Sequence, residues 1–365
     1  MKVNIFDLNF DEEYIQKFEA GCREILESSF LAEGKYTKQF EKEFAQFSNA
    51  KYGIAVTSGT AALEVALKAI NVENKEVIIP SNTFFATANA VRNAGGILKL
   101  VDIEDETFSI CPESLRSQIT DNTAAVILVH IGGIISCRIK EILDICQNTR
   151  LIEDAAHAQG AKRGEYTAGS IGDIACFSFF PTKVMTTGEG GMITTNNDYY
   201  YEMCKSLKNF GRANNDIGIC VNDFGNNFKV SEFTSLMGVL EMGRVKQRIE
   251  RRQNLNRLYH DNLKDFYDVF NDDTIYSSSY KTIVKTVKEV NYKELCKKQE
   301  VALTGEVYKI PVHMQPLWAD KFNYNDFPVT NYFCSHHICP ALYPELTEEQ
   351  VIHVCNTLKR INDEN

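Results

Sequence analysis

The chain has 365 residues, 44% of them hydrophobic and 24% charged, which is ordinary for a globular protein but long for a single hydrophobic core. A formal net charge of −10 argues against nonspecific nucleic-acid binding, and no stretch reaches membrane-spanning length. The eleven cysteines are scattered without a CxxC pair. Neither a metal centre nor a disulfide framework is therefore expected. With no secretory signal at the amino terminus, a reducing cytoplasm is the expected setting.

Residues 12–27 carry Tyr14, Phe18, Cys22, Ile25 and Leu26 at helical spacing, predicting an amphipathic helix. Residues 30–36 read as a loop. A second helix follows with Phe40, Phe44 and Phe47 on one face. An alternation then begins. Strands are predicted at 52–56, 76–79, 98–101, 124–130 and 150–152, with helices between them at 60–70, 85–94, 113–119 and 138–146. Short apolar strands alternating with helices predict an α/β fold, a mostly parallel sheet flanked by helices. Further strands are expected at 174–177 and 191–195. Past residue 200 the pattern changes. A helix is predicted over 231–246, running on to 263, then a strand over 282–287 and helices over 291–299 and 347–361. This reads as a large unit over 1–240 and a smaller α+β carboxy-terminal unit over 241–365, with the amino-terminal helices packing on the smaller one.

Ligands of such sheets bind beyond the carboxyl ends of the strands, and the notable residues fall there. Thr57-Ser58-Gly59-Thr60 closes a strand and opens a helix. Free amides and the helix dipole make that start a natural phosphate site, although N-capping alone also explains Ser or Thr there. Phe84 and Phe85 follow Pro80-Ser81-Asn82-Thr83; an aromatic at this point either packs in the core or stacks on a flat ring. Asp154 ends a buried strand in Glu153-Asp154-Ala155-Ala156-His157. Such a carboxylate is either a cap or ion-pair partner, or the partner of a protonated pyridine nitrogen. Lys183 follows Phe177-Ser178-Phe179-Phe180-Pro181-Thr182 and precedes Gly188-Glu189-Gly190-Gly191. A lysine in such a turn either reaches solvent or, since desolvation opposes its charge between buried strands, forms an imine with a carbonyl compound that removes the charge.

Taken together and in this order, these segments resemble the sugar aminotransferases of the DegT/DnrJ/EryC1/StrS family, pyridoxal phosphate (PLP) enzymes of fold type I. The resemblance spans nearly the whole chain. It includes Val129-His130, Gly225-Asn226-Asn227-Phe228-Lys229, Pro311-Val312-His313-Met314-Gln315-Pro316 and Pro340-Ala341-Leu342-Tyr343-Pro344. It implies a PLP-dependent transferase fold, with a large cofactor-binding domain and a small carboxy-terminal one. It implies that Lys183 anchors the cofactor and shuttles the proton, that Asp154 meets the pyridinium nitrogen, and that Phe84 stacks on the ring. Ser58, Gly59, Thr60 and Ser178 would serve the phosphate, and His157 would lie near the ring hydroxyl. Asn227 would reach the phosphate of a neighbouring subunit, which implies a homodimer. Glu189 and His313 match positions near the sugar.

The stretch Ile131-Gly132-Gly133 departs from the His-aromatic-Gly form of relatives, and Val184 stands where some have asparagine. Relatives that remove a hydroxyl carry histidine in place of Lys183, so the lysine favours amine transfer. The implied reaction moves an amino group from L-glutamate to a keto sugar, nucleotide-linked, for amino-sugar or surface-glycan biosynthesis. The rivals are a small phosphorylated ketone or a keto-cyclitol as acceptor and, more distantly, a PLP-binding regulatory or scaffold protein without turnover.

Overall fold

A computed structural model of the chain describes residues 1–364 except 216–217, 288–289 and 304–306. Helix α1 (Glu12–Ser28) starts at Asp11, whose carboxylate accepts the Tyr14 amide at 2.8 Å. Helix α2 (Lys35–Phe47) has no cap of its own. The carboxylate of Glu232, distant in sequence, accepts the amides of Gly34, Tyr36 and Thr37 at 2.8–2.9 Å, doing from a third helix what a local Ser or Asp ordinarily does.

The alternation then builds β1 (Tyr52–Val56), α3 (Gly59–Ile70), β2 (Glu76–Pro80), α4 (Phe85–Asn93), β3 (Ile97–Val101), α5 (Pro112–Gln118), β4 (Thr123–Val129), α6 (Ile139–Ile145) and β5 (Arg150–Asp154). Strands β6 (Ile174–Ser178) and β7 (Gly191–Thr195) complete a seven-stranded sheet of order β1-β7-β6-β5-β4-β2-β3. All neighbours pair in parallel except those of β7, which runs antiparallel to both β1 and β6. The central strands are buried on both faces. Residues 125–128 are fully covered, which is why they read as continuous apolar runs rather than alternations.

The two faces seed two apolar clusters. One, against α3 and α4, contains Leu67, Val77, Ile79 and Ile127; the other, against α2, contains Phe44, Ile78, Val126 and Phe177. After α7 (Asp198–Leu207) come α8 (Glu232–Met242) and α9 (Val245–Leu263). The continuous helix expected from 231 to 263 is two helices, because the chain turns at Gly243 and Arg244, and only the second helix leads away from the large sheet. Val245 and Ile249 still pack on the large-sheet core, while Leu255, Tyr259 and Leu263 belong to a third cluster with Val351, Leu358 and Ile361.

That third cluster sits on a small sheet of β8 (Asp268–Val269), β9 (Val284–Lys285) and β10 (His337–Ile338), with α10 (Tyr292–Lys298) and α12 (Glu348–Glu364); α11 (Pro328–Ser335) precedes β10. The strand expected over 282–287 pairs only at Val284 and Lys285; beyond them Thr286 donates its amide to His336 rather than extending the ladder. Among the described residues, the amino-terminal helices pack on α8 and the large-sheet core, with Gly21 of α1 against Leu236, and Tyr14 also meets Arg244 just before α9. Phe40 and Phe44 of α2 sit among Phe177 and Phe179, and Thr37 bonds Ser235 of α8. From the amino-terminal segment Val3 joins the small core, bridging to Val301. Among the described residues, no helix is long and apolar enough to cross a membrane.

Candidate active site

The carboxyl ends of the large-sheet strands open into a cavity of about 400 Å³. Ser58 leaves β1 with extended backbone and accepts the Ala61 amide at 3.1 Å. The amides of Gly59 and Thr60 lie in the first helical turn, where no intrahelical acceptor exists, so they are left for a ligand. Gly59 passes so close to β6 that a Cβ there would fall 2.8 Å from Ser178 Cβ. Only glycine lets the helix start and the Ser178 side chain share one corner of the cavity.

Asp154, the last residue of β5, projects into the cavity floor. Its carboxylate accepts the Thr87 hydroxyl at 2.8 Å and the Ala156 amide at 3.2 Å. Burial pushes its pKa up against these two bonds and the field of Lys183. No ion pair to it occurs among the described residues. Beside it, Glu153 points to the opposite face of the strand. Fully buried, it accepts the amides of Gly169, Ile171 and Gly172 and pairs with His130 Nε2 at 2.9 Å. One of two adjacent carboxylates is thus saturated by the fold, and the other is turned to the cavity, because neighbouring side chains on a strand face opposite ways.

Lys183 lies in the turn after β6. The turn closes on Phe179, which donates to Gly190 and receives the Thr187 amide and the Thr186 hydroxyl. Lys183 Nζ stands 4.8 Å from the centre of the Tyr280 ring. The other face of the site is aromatic. His157 stacks on Tyr280 with ring centres 4.1 Å apart, and its Nε2 is 3.2 Å from the Tyr308 hydroxyl. Burial, with the charges of Lys183 and Lys281, pulls the His157 pKa well down, so the ring is neutral. Phe84 remains 43% exposed, a large apolar side chain presented at the cavity rather than packed away.

The structure therefore brings Ser58, Gly59, Thr60, Phe84, Asp154, His157, Ser178, Lys183 and Glu189 around one cavity. Two expected residues lie elsewhere. His313 does not line the cavity: it is buried between Ser81 Oγ (2.6 Å to Nδ1) and Asn331 Oδ1 (2.9 Å to Nε2) and stacked on Phe327. Both ring nitrogens are committed, so as placed it is a brace between the β2 end and α11. Asn227 is exposed outside the cavity of its own chain, its Oδ1 accepting Lys229 Nζ at 2.6 Å. Thr87, Tyr280 and Tyr308 belong to the site without having been singled out from the sequence. Thr87 had a signal, a hydroxyl one helical turn after Thr83 at the start of α4. Tyr280 and Tyr308 had none, for they come from irregular segments beyond the sheet.

These residues fit PLP. A buried carboxylate lacking a cation, a lysine, unpaired helix-start amides and an aromatic-walled cavity match a ring that carries a pyridinium, an aldehyde and a phosphate. Residues 12–359 match the profile of the DegT/DnrJ/EryC1/StrS aminotransferase family. The chain is 30% identical to the GDP-perosamine synthase of Escherichia coli O157:H7 over 348 residues, covering 92% of this chain and 93% of that one. It is 32% identical to the spore coat polysaccharide biosynthesis protein SpsC of Bacillus subtilis (strain 168) over 360 residues, covering 93% and 92%. In fold it is similar to Helicobacter pylori PseC, an aminotransferase involved in the biosynthesis of pseudoaminic acid, with a TM-score of 0.91, 21% identity and full coverage of both chains.

Proposed function

The chain belongs to the DegT/DnrJ/EryC1/StrS family and is a PLP-dependent aminotransferase, and from that premise we propose that it transfers the amino group of L-glutamate to the ketone of a nucleotide-linked keto-deoxysugar in amino-sugar biosynthesis. The observation that carries this reading is the convergence of Lys183, Asp154 and the open start of α3 on one cavity. The relatives named as perosamine synthase and spore-coat polysaccharide protein supply the sugar class.

Bound PLP supplies an electron sink for the pair left when a proton leaves the donor Cα. The chain supplies the rest. The amides of Gly59 and Thr60 with the Ser178 hydroxyl would hold the phosphate, and Ser58 orders that turn. Phe84 would lie against the cofactor ring. Asp154, held by Thr87 and Ala156, keeps the proton on the ring nitrogen; a cation there reverses the burial penalty that raises its pKa. Lys183 would anchor the cofactor and, once free, would serve as the base that takes the proton from the donor Cα. Neutral His157, braced by Tyr308, would lie near the ring hydroxyl. Glu189, exposed at the mouth, meets the sugar.

The active unit in this reading is a homodimer, in which the partner's Asn227 reaches the phosphate. The exposure of Asn227 and of the nearby Phe224, 95% accessible in the single chain, supports it: so large an apolar side chain left in water is typical of an interface. The test is the visible spectrum of the purified protein with and without L-glutamate. A yellow band that bleaches on adding glutamate, with release of 2-oxoglutarate, supports the assignment. A yellow protein indifferent to glutamate removes glutamate as donor, and a protein that stays colourless after incubation with PLP defeats the whole reading.

A further inference from the structure

Two threonines flank the start of α4 and neither caps it. Phe84 stands at the N-cap of that helix and makes no side-chain cap bond, although Thr83 and Thr87 beside it carry hydroxyls of the kind that ordinarily cap. The Thr87 amide goes to the Phe84 carbonyl at 3.0 Å. The two hydroxyls instead meet each other at 2.9 Å, and Thr87 Oγ1 donates to Asp154 Oδ2 at 2.8 Å. All three side chains are buried, and all three line the active-site cavity. Thr87 lies in the first turn of α4, so the carboxylate is tied to the positive end of that helix.

Valence fixes the direction of the hydrogens. An ionised carboxylate only accepts, and a hydroxyl has a single hydrogen to give. With the Thr87 hydrogen on Asp154, the bond between the two threonines must be donated by Thr83. The order is therefore Thr83 to Thr87 to Asp154, and it cannot reverse while Asp154 is ionised. We propose that Thr83 and Thr87 are positioning residues forming a one-way hydroxyl relay that keeps Asp154 ionised and aimed at the ring nitrogen of the cofactor. The inference rests on the reading of Asp154 given above. Donated hydrogen bonds favour the charged form of a carboxylate, and in a chain each bond polarises the next. The Ala156 amide holds the other oxygen, Oδ1, at 3.2 Å. Burial works the other way and raises the affinity of Asp154 for a proton. A carboxylate that holds a proton weakly leaves it on its pyridinium partner, so Thr83 acts on the ring nitrogen through two intervening groups.

The test is the nitrogen NMR shift of PLP that carries an isotopic label in its ring and is bound to the full-length protein. The reference is Asp154→Asn, which removes the carboxylate and should move the resonance to the free-base position. Thr87→Val keeps the side-chain shape without the hydroxyl and should move it part of the way. Thr83→Val should move it in the same direction by about 10–30% of the Thr87→Val displacement, the scale on which one bond of a chain strengthens the next. Thr83→Ser should return it to the wild-type position, which a role in packing alone does not predict. A Thr83→Val resonance at the wild-type position overturns the relay, as does a Thr83→Ser protein that stays displaced with Thr83→Val. The two Thr83 variants decide the matter even if Thr87→Val folds poorly. Failure of the underlying reading looks different: Asp154→Asn then leaves the resonance where wild type has it, and the relay falls with Asp154 as the partner of the ring nitrogen. If Asp154→Asn moves the resonance and Thr83→Val does not, only the relay falls.

Discussion

The two walls of the active-site cavity are built differently. One wall is made of strand ends: Ser58 to Thr60 after β1, Asp154 closing β5, and Ser178 and Lys183 after β6. Each is held by a backbone that the sheet core fixes, with Thr87 of α4 adding a bond to the Asp154 carboxylate. The other wall, Tyr280 and Tyr308, comes from irregular chain beside the small sheet. It is held by ring contacts and single side-chain bonds, such as Tyr308 to His157 and Thr182 to Tyr280 at 3.4 Å. The difference teaches where chemistry and selectivity are placed. Strand-end groups are fixed by the sheet, while the second wall depends on side-chain contacts between distant segments.

Lys183→Ala tests the strand-end wall most severely. It should lower glutamate-dependent amine transfer by roughly 10²–10⁴-fold, the scale of a lost general acid–base, while the circular dichroism spectrum stays native. Transfer that survives in this variant refutes the mechanism. Glu153→Ala separates support from chemistry on the same strand. It leaves three amides and the buried His130 unpaired, so it should cost about 3 kcal/mol of stability by denaturant unfolding. Little loss would mean that the sheet holds Asp154 without this brace.

Tyr280→Phe probes the other wall. Burial raises its phenol pKa, but the charges of Lys183, Lys281 and Arg252 with the Thr182 hydroxyl outweigh that and bring it down to about 8. A depressed acid pKa adds stability as pH climbs through the folded value toward the unfolded one near 10, and that stability is lost as pH falls back through about 8. Wild type should thus gain on the order of 1–2 kcal/mol over Tyr280→Phe between pH ~7 and pH ~10; parallel pH profiles would remove the charge coupling across the cavity. Asn227→Ala has the smallest expected effect, about a tenfold loss of PLP affinity, or ~1.4 kcal/mol, in a protein confirmed as a dimer. Unchanged affinity in that dimer removes the cross-subunit contact.

Much of this was legible in the residues because its causes are local. Strand–helix alternation with runs such as 125–129 dictates a buried parallel sheet, and a sheet of that kind delivers its strand ends to one edge. Ser58, Asp154 and Lys183 could be placed there by counting along the chain. What the order of residues left undecided depends on segments far apart in sequence. Glu232 caps α2 across nearly two hundred positions, tying the start of that helix to α8. His313 carries a family-like motif, yet Ser81 and Asn331 occupy both its nitrogens away from the cavity. Tyr280, Tyr308, Lys281 and Arg252 meet only when α9 and the small sheet fold back on the large one. The sequence alone determined the sheet and the edge to which its strand ends are delivered, since periodicity and turn chemistry act over a few residues. Tertiary structure alone decided the second wall and its charges, since burial and the pairing of distant groups exist only once the chain has closed on itself.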